Sequence, residues 1–217
     1  MELIYNIFIK DGGWLTILNG LRVTVEISAL SLLLGTLFGS LLCFCRVGKF
    51  VPLKIFAQVY ISIIRGSPVL MLLMLLFYGV LARTGFPPVV VAVITFSMHT
   101  AAHVAELLRS ALMALDRGQV EAARTLGFSK WQAFKLVTLP QLVKIAKPVY
   151  QSTVVNLIQW TSVVGYVTIT DLTRVTNNVA SRTMQPMITI MGGMIIYLAI
   201  SYLVYGLFHL TDERRKK

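Results

Sequence analysis

The chain has 217 residues, 56% of them hydrophobic and only 13% charged, with a net charge of +11 at neutral pH. A soluble domain carries roughly 25% charged and about 45–50% apolar residues, so a water-solvated core is excluded and the bilayer is the expected solvent. The length leaves room for one domain of several helices and none for a separate catalytic domain, and the basic excess fits loops facing anionic headgroups better than a nucleic-acid partner.

In chain order, residues 1–20 read as an interfacial lead-in, apolar and aromatic but broken by Asp11-Gly12-Gly13, with no basic stretch and cleavage site of a signal peptide. A spanning helix needs ~20 mostly apolar residues, and five segments qualify. They are Leu21 to Cys45, Leu53 to Ala82, Pro88 to Leu115, Leu139 to Val164 and Met187 to Leu210. The second is interrupted by Arg65-Gly66-Ser67-Pro68, where a kink is expected because Pro68 has no backbone donor. Residues 21–210 thus form one all-α transmembrane domain, and 211–217 a basic tail. Cys43 and Cys45 are too few ligands for a structural metal site and read as reduced packing residues.

Charge sets the orientation. With the N-terminus outside and the C-terminus in the cytoplasm, three inner regions hold Arg46, Lys49, Lys54, Arg117, Arg124, Lys130, Lys135, Arg214, Arg215, Lys216 and Lys217. The outer regions hold only Lys10, Arg83, Arg174 and Arg182. Basic residues gather on the cytoplasmic side of membrane proteins. The longest inner loop, 116–140, then joins spans three and four.

That loop carries the strongest signal. Gln119 to Leu126 is rich in helix formers, Gly127 tolerates a positive φ, Lys130 to Leu136 suits a second short helix, and Pro140 marks the entry to span four. The result is a compact knob able to transmit a partner's motion as a rigid body. Glu121-Ala122-Ala123, three residues, Gly127, nine residues, then Val137-Thr138-Leu139-Pro140 resembles the loop that defines permeases of ATP-binding-cassette importers. Gly118-Gln119 and Gln141 resemble the branch importing polar amino acids. So do Ile64-Arg65-Gly66-Ser67-Pro68, Ala105-Glu106-Leu107-Leu108-Arg109, Thr161-Ser162-Val163-Val164-Gly165-Tyr166 and Asp171-Leu172-Thr173-Arg174.

The resemblance implies a type I importer fold with five spans, working as a homodimer or with a similar permease in a bacterial inner membrane. It implies two ATPase subunits that hold ATP and Mg, and a binding protein delivering a polar amino acid from outside. Gln119, Glu121, Ala122, Ala123, Leu126 and Gly127 would then form the ATPase coupling site, with Glu121, Ala122 and Ala123 facing the ATPase. The chain has no Gly-x-x-x-x-Gly-Lys-Ser/Thr string, so ATP hydrolysis is not expected in it, nor a catalytic residue or cofactor of its own. Two other readings stay open. One is an ion-coupled secondary transporter, which often shows inverted repeats and midplane carboxylates. The other is a membrane assembly subunit without transport.

Ionisable groups inside spans are costly and are functional candidates. Arg65 suits a substrate carboxylate, or an ion pair with Glu106 that locks spans two and three; the pairing is the favoured expectation. His99, His103, Glu106 and Ser110 recur at steps of four, three and four on one face of span three, lining either a path or a helix interface, with metal binding a minor alternative. Asn156, Gln159, Trp160, Thr161 and Ser162 complete the candidate substrate path. The resembled family commonly has a Lys followed by an acidic residue where this chain has Gln159-Trp160, leaving either altered charge selectivity or simple packing. In the outer loop, Asp171, Arg174 and Arg182 are candidates for meeting the binding protein, against a merely solvated loop.

Overall fold

The computed structural model describes residues 13–213, and within them every regular element is helical. Nine α-helices follow in order: α1 Gly13–Val47, α2 Val51–Gly66, α3 Val69–Met74, α4 Pro88–Met113, α5 Arg117–Thr125, α6 Lys130–Ala133, α7 Leu139–Trp160, α8 Leu172–Thr183 and α9 Pro186–Glu213. Wider π-helical turns extend α3 (Leu75–Val80) and α6 (Phe134–Thr138), and a 3-10 turn (Thr161–Val167) follows α7. The expected lead-in before residue 13 and the charges of the tail beyond 213 lie outside the described residues. Its remaining part, 13–20, is not a separate piece: α1 runs unbroken through residue 20 into the first span.

Three described helices are long and apolar enough to cross a membrane: α1, α4 and α9 over Pro186–Thr211. The α2–α3 segment qualifies as a pair, but its halves diverge by 107°. This is a break and not the expected kink. Ser67 is held extended ahead of Pro68 (φ −97°, ψ 136°), the conformation a following proline favours, and Pro68 restarts the helix as its N-cap. α7 is not among the apolar helices, since Gln141, Lys144, Lys147, Gln151 and Asn156 punctuate its 22 residues.

Helices in lipid gain little from apolar burial against each other; close backbone approach and interhelical hydrogen bonds hold them. The α1–α4 seam works this way. Ser28, Ser31, Gly35, Gly39 and Cys43 recur every three or four residues and are buried along one stripe. Ser31 donates to the Val93 carbonyl at 3.4 Å, Gly35 faces Ser97 and Thr100, and Gly39 faces Ala101 and Val104. Residue numbers rise together along both helices, so α1 and α4 run parallel. α7 runs antiparallel to α4: Trp160 meets His99 and His103, while Leu142 and Ala146 join Val104, Leu107 and Ala111. Phe96, fully buried, centres a further cluster with Ile27, Leu73, Ala92, Leu157, Val164 and Val167.

At the other end, α8 docks across α1 and α9. Asp171, fully buried, caps α8 by accepting from the backbone N–H of Thr173 (3.1 Å) and Arg174 (3.0 Å). Burial pushes the pKa of its carboxyl up, against the pull of those two backbone donors. The Leu172 N–H donates to Thr24 Oγ1 of α1 at 3.3 Å, and the Thr173 and Tyr197 hydroxyls meet at 2.9 Å, tying in α9. Asp171 is therefore not a docking residue, contrary to one sequence expectation. Arg174 is also engaged, donating to the Gly165 carbonyl at 2.6 Å, which leaves Arg182 as the exposed member of that trio. Losing this cap costs about 1–2 kcal/mol by analogy with helix N-caps generally. Asp171→Ala is expected to lower the melting temperature of the detergent-solubilised protein, and Asp171→Asn, which retains an acceptor, to restore most of it.

Candidate functional site: a braced loop and a polar helix face

The loop over residues 116–140 folds as its sequence pattern predicts. Asp116 caps α5, its carboxylate accepting the Gly118 N–H at 2.9 Å. α5 stops at Gly127, whose φ of +87° is open to glycine and strained for other residues. The Gly127 N–H donates to Arg124 O and the Phe128 N–H to Ala123 O, while the Arg124 guanidinium donates to Phe128 O at 2.6 Å. Ser129 and Gln132 then form a reciprocal capping box that starts α6. Gln141 Nε2 donates to Gln119 Oε1 at 2.7 Å, lashing α5 to the first turn of α7. Local caps and the turn thus order the loop, and the Gln119–Gln141 bond ties it to α7.

Its outward surface is specific. Glu121 and Ala122 are exposed, and Leu126 is 80% exposed despite being apolar. Ala123 is only 5% exposed and faces into the loop, which corrects the expectation that all of Glu121-Ala122-Ala123 point outward. Helical periodicity explains it, because residues two apart are turned by about 200°, so Ala123 points away from the side that Glu121 presents. Trp131, 67% exposed and stacked on Phe134 at 5.7 Å, adds an aromatic edge to the knob that the sequence reading missed. An exposed tryptophan in a polar loop was the available signal.

The candidate path residues separate into two groups. Glu106 does not pair with Arg65. Its Oε2 accepts from Arg46 of α1 at 2.6 Å and its Oε1 from Arg109 at 2.5 Å, so the ion pair joins α1 to α4. Arg65 is exposed at the end of α2. His99 is buried beside His103, with ring centroids 4.8 Å apart, and Trp160 packs on both at 4.5 and 5.1 Å. Among the described residues no three His, Cys, Asp or Glu side chains gather to hold a metal.

Trp160 and its neighbour Gln159 point to different sides of α7. Gln159 and Ser162 line a cavity of about 640 Å³ between α7, α8 and α9, shared with Thr176, Asn177, Tyr202 and Tyr205. Asn156 is exposed on α7, whereas Thr161 is buried and donates back to Ile158 O at 2.6 Å. The tyrosines and Asn177 were not singled out from sequence. The available signal was Leu198, Ser201, Tyr202 and Tyr205 at helical spacing within a strongly apolar α9.

Known proteins share this arrangement. The model of a family described as the inner membrane component of binding-protein-dependent transport systems matches residues 31–217. The probable amino-acid ABC transporter permease YckA of Bacillus subtilis is 32% identical over 200 residues, spanning 92% of this chain and 88% of its own. The glutamate/aspartate import permease GltK of Escherichia coli is 30% identical over 194 residues, 85% and 87% of the two chains. Among solved structures, a crystal structure of an amino acid ABC transporter with histidines superposes with a TM-score of 0.82 at 28% identity, over 92% of this chain and 94% of that one. The MetNI methionine ABC transporter, inward facing, gives 0.78 at 17% identity over 95% and 99%, which bears on fold alone. On the family match and these relatives, the chain belongs to the inner membrane component family of binding-protein-dependent transport systems and has the type I ABC importer permease fold.

Proposed function

We propose that this chain is the translocation subunit of an ATP-driven importer for a polar amino acid. The observation that carries the reading is the braced loop with Glu121, Ala122 and Leu126 exposed on it and Gly127 at its turn. A rigid knob lashed to α7 by Gln119 and Gln141 suits a partner that pushes on one side and moves a helix on the other. The names of the relatives support an amino-acid cargo.

In this reading five segments span a bacterial inner membrane, with the bent α2–α3 pair as one and α7 as another, its polar face covered by a second permease, identical or similar. The N-terminus is outside and the C-terminus inside. Parallel packing of α1 and α4 and antiparallel packing of α7 fit that path. Two ATPase subunits hold ATP and Mg and dock on the two loops; the chain itself carries no catalysis. A binding protein delivers solute from outside, and ATP-driven closure of the ATPases switches the permeases between inward- and outward-facing states.

The test is uptake into proteoliposomes containing the chain, its ATPase and its binding protein. Uptake of a radiolabelled amino acid is expected only with ATP inside the ATPase-accessible compartment. Uptake driven by a proton or sodium gradient without ATP would identify an ion-coupled transporter, and no uptake with normal ATPase binding would favour an assembly role.

A further inference from the structure

The described acidic side chains are spoken for or lie away from the membrane helices' polar face. Glu26 pairs with Arg22 at 2.6 Å, Glu106 with Arg46 and Arg109, and Asp171 caps α8 in a buried position. Asp116 and Glu121 belong to the coupling loop. No carboxylate is therefore offered, among the described residues, to a cationic solute passing along α7.

The cavity beside α7 has the opposite character. Its walls are mainly apolar, and the polar groups set in them are amides, hydroxyls and phenols: Gln159 and Ser162 on one side, Thr176 and Asn177 of α8 on another, Tyr202 and Tyr205 of α9 on the third. Among the described residues, no Asp, Glu, Lys or Arg lines it. Its volume of about 640 Å³ is within the ~300–1,000 Å³ of small-molecule sites. Such a surface offers hydrogen bonds in both directions, since an amide and a phenol each donate and accept, together with flat apolar area. A charged side chain held against those walls would find no counter-charge among them, and whatever part of its hydration it gives up there goes uncompensated.

We infer that the cavity between α7, α8 and α9 binds a solute whose side chain carries no net charge, with Gln159 and Asn177 as its specificity-determining amides. This rests on the importer reading and refines it by class of cargo, selecting neutral polar or aromatic amino acids over arginine-like and glutamate-like ones. The site discriminates by leaving the wrong ligand unpaired. A site built for hydrogen bonds separates polar analogues more strongly than an apolar pocket separates alkyl homologues.

The test is direct binding to the permease–ATPase complex in nanodiscs, without ATP or binding protein, so that permease selectivity alone is read. The probes are tritiated glutamine, tyrosine, arginine and glutamate. Glutamine or tyrosine is expected to bind at least tenfold more tightly than arginine and glutamate. Gln159→Glu is expected to bring arginine to within a few-fold of the neutral ligand, and Asn177→Asp, on the opposite wall and exposed, guards against one variant misfolding. Preferential binding of arginine or glutamate by the wild type, no retention of any of the four, or folded variants with unchanged selectivity would each overturn the inference. ATP-driven uptake persisting in any of those cases would leave the importer reading standing.

Discussion

Replacing Leu126 by Asp is expected to abolish ATP-driven uptake while leaving the permease folded. Leu126 is 80% exposed at the end of α5 and is the largest apolar side chain of the loop's first helix, so the isolated chain has little to lose from its removal. In the complex it would be the apolar anchor beside Glu121. Truncating a central interface anchor costs about 2–4 kcal/mol, and an aspartate adds the cost of desolvating an unpaired carboxylate. A loss of about 30-fold or more in ATPase affinity follows from the lower figure alone. Gly127→Val should act in the same direction by a different cause. At φ +87° a β-branched residue is strained, at roughly 1–2 kcal/mol for leaving the glycine conformation, and relief of that strain re-aims the knob. Co-purification of the ATPase, uptake and thermal unfolding separate the possibilities. Full uptake by a folded Leu126→Asp variant would remove Leu126 from the interface.

The same loop explains which parts of the molecule could be read from its sequence. Its features are local: a cap at Asp116, a glycine turn at 127, a capping box at Ser129 and Gln132. Each is set by residues within three or four positions, so pattern and structure coincide. Three of the five expected spans, α1, α4 and α9, came through for the same reason, because a run of apolar residues identifies a span without knowledge of its neighbours, whereas the polar residues of α7 keep it out of that set. The site inside the membrane is different. Glu106 pairs with Arg46, sixty positions away, and not with Arg65, because it is the parallel α1–α4 seam that sets the depth at which those side chains meet. Gln159 and Trp160 are adjacent in sequence and part company in space, one to a cavity and the other to two imidazoles. The severity of the break at Ser67-Pro68 was also hidden, since a proline specifies an interruption but its neighbours determine the angle.

That seam supplies the second large effect. Gly39→Val is expected to destabilise the protein more than any comparable change on an open helix face. A Cβ built at Gly39 would lie 2.7 Å from the Ala101 carbonyl oxygen and 2.7 Å from Val104 Cβ. The first is backbone and cannot rotate aside, so the helices must part. Overpacking costs about 1–3 kcal/mol even in adaptable cores, and here separation also sacrifices the close backbone approach that holds helices together in lipid. The damage propagates, because Arg46 and Glu106 lie along the same seam two turns beyond Gly39 and meet at 2.6 Å only while α1 stays against α4. A fall in melting temperature on the order of 5–10 °C is expected for a chain of this length, with Gly39→Ala intermediate. Gly206→Val is the matched control: nothing lies within 4 Å of a Cβ built there, and the detergent-solubilised chain should melt nearly as the wild type does. Equal melting of the Gly39 and Gly206 variants would show that α1 does not depend on this contact, and would transfer the stabilising role to the ion pair at its end.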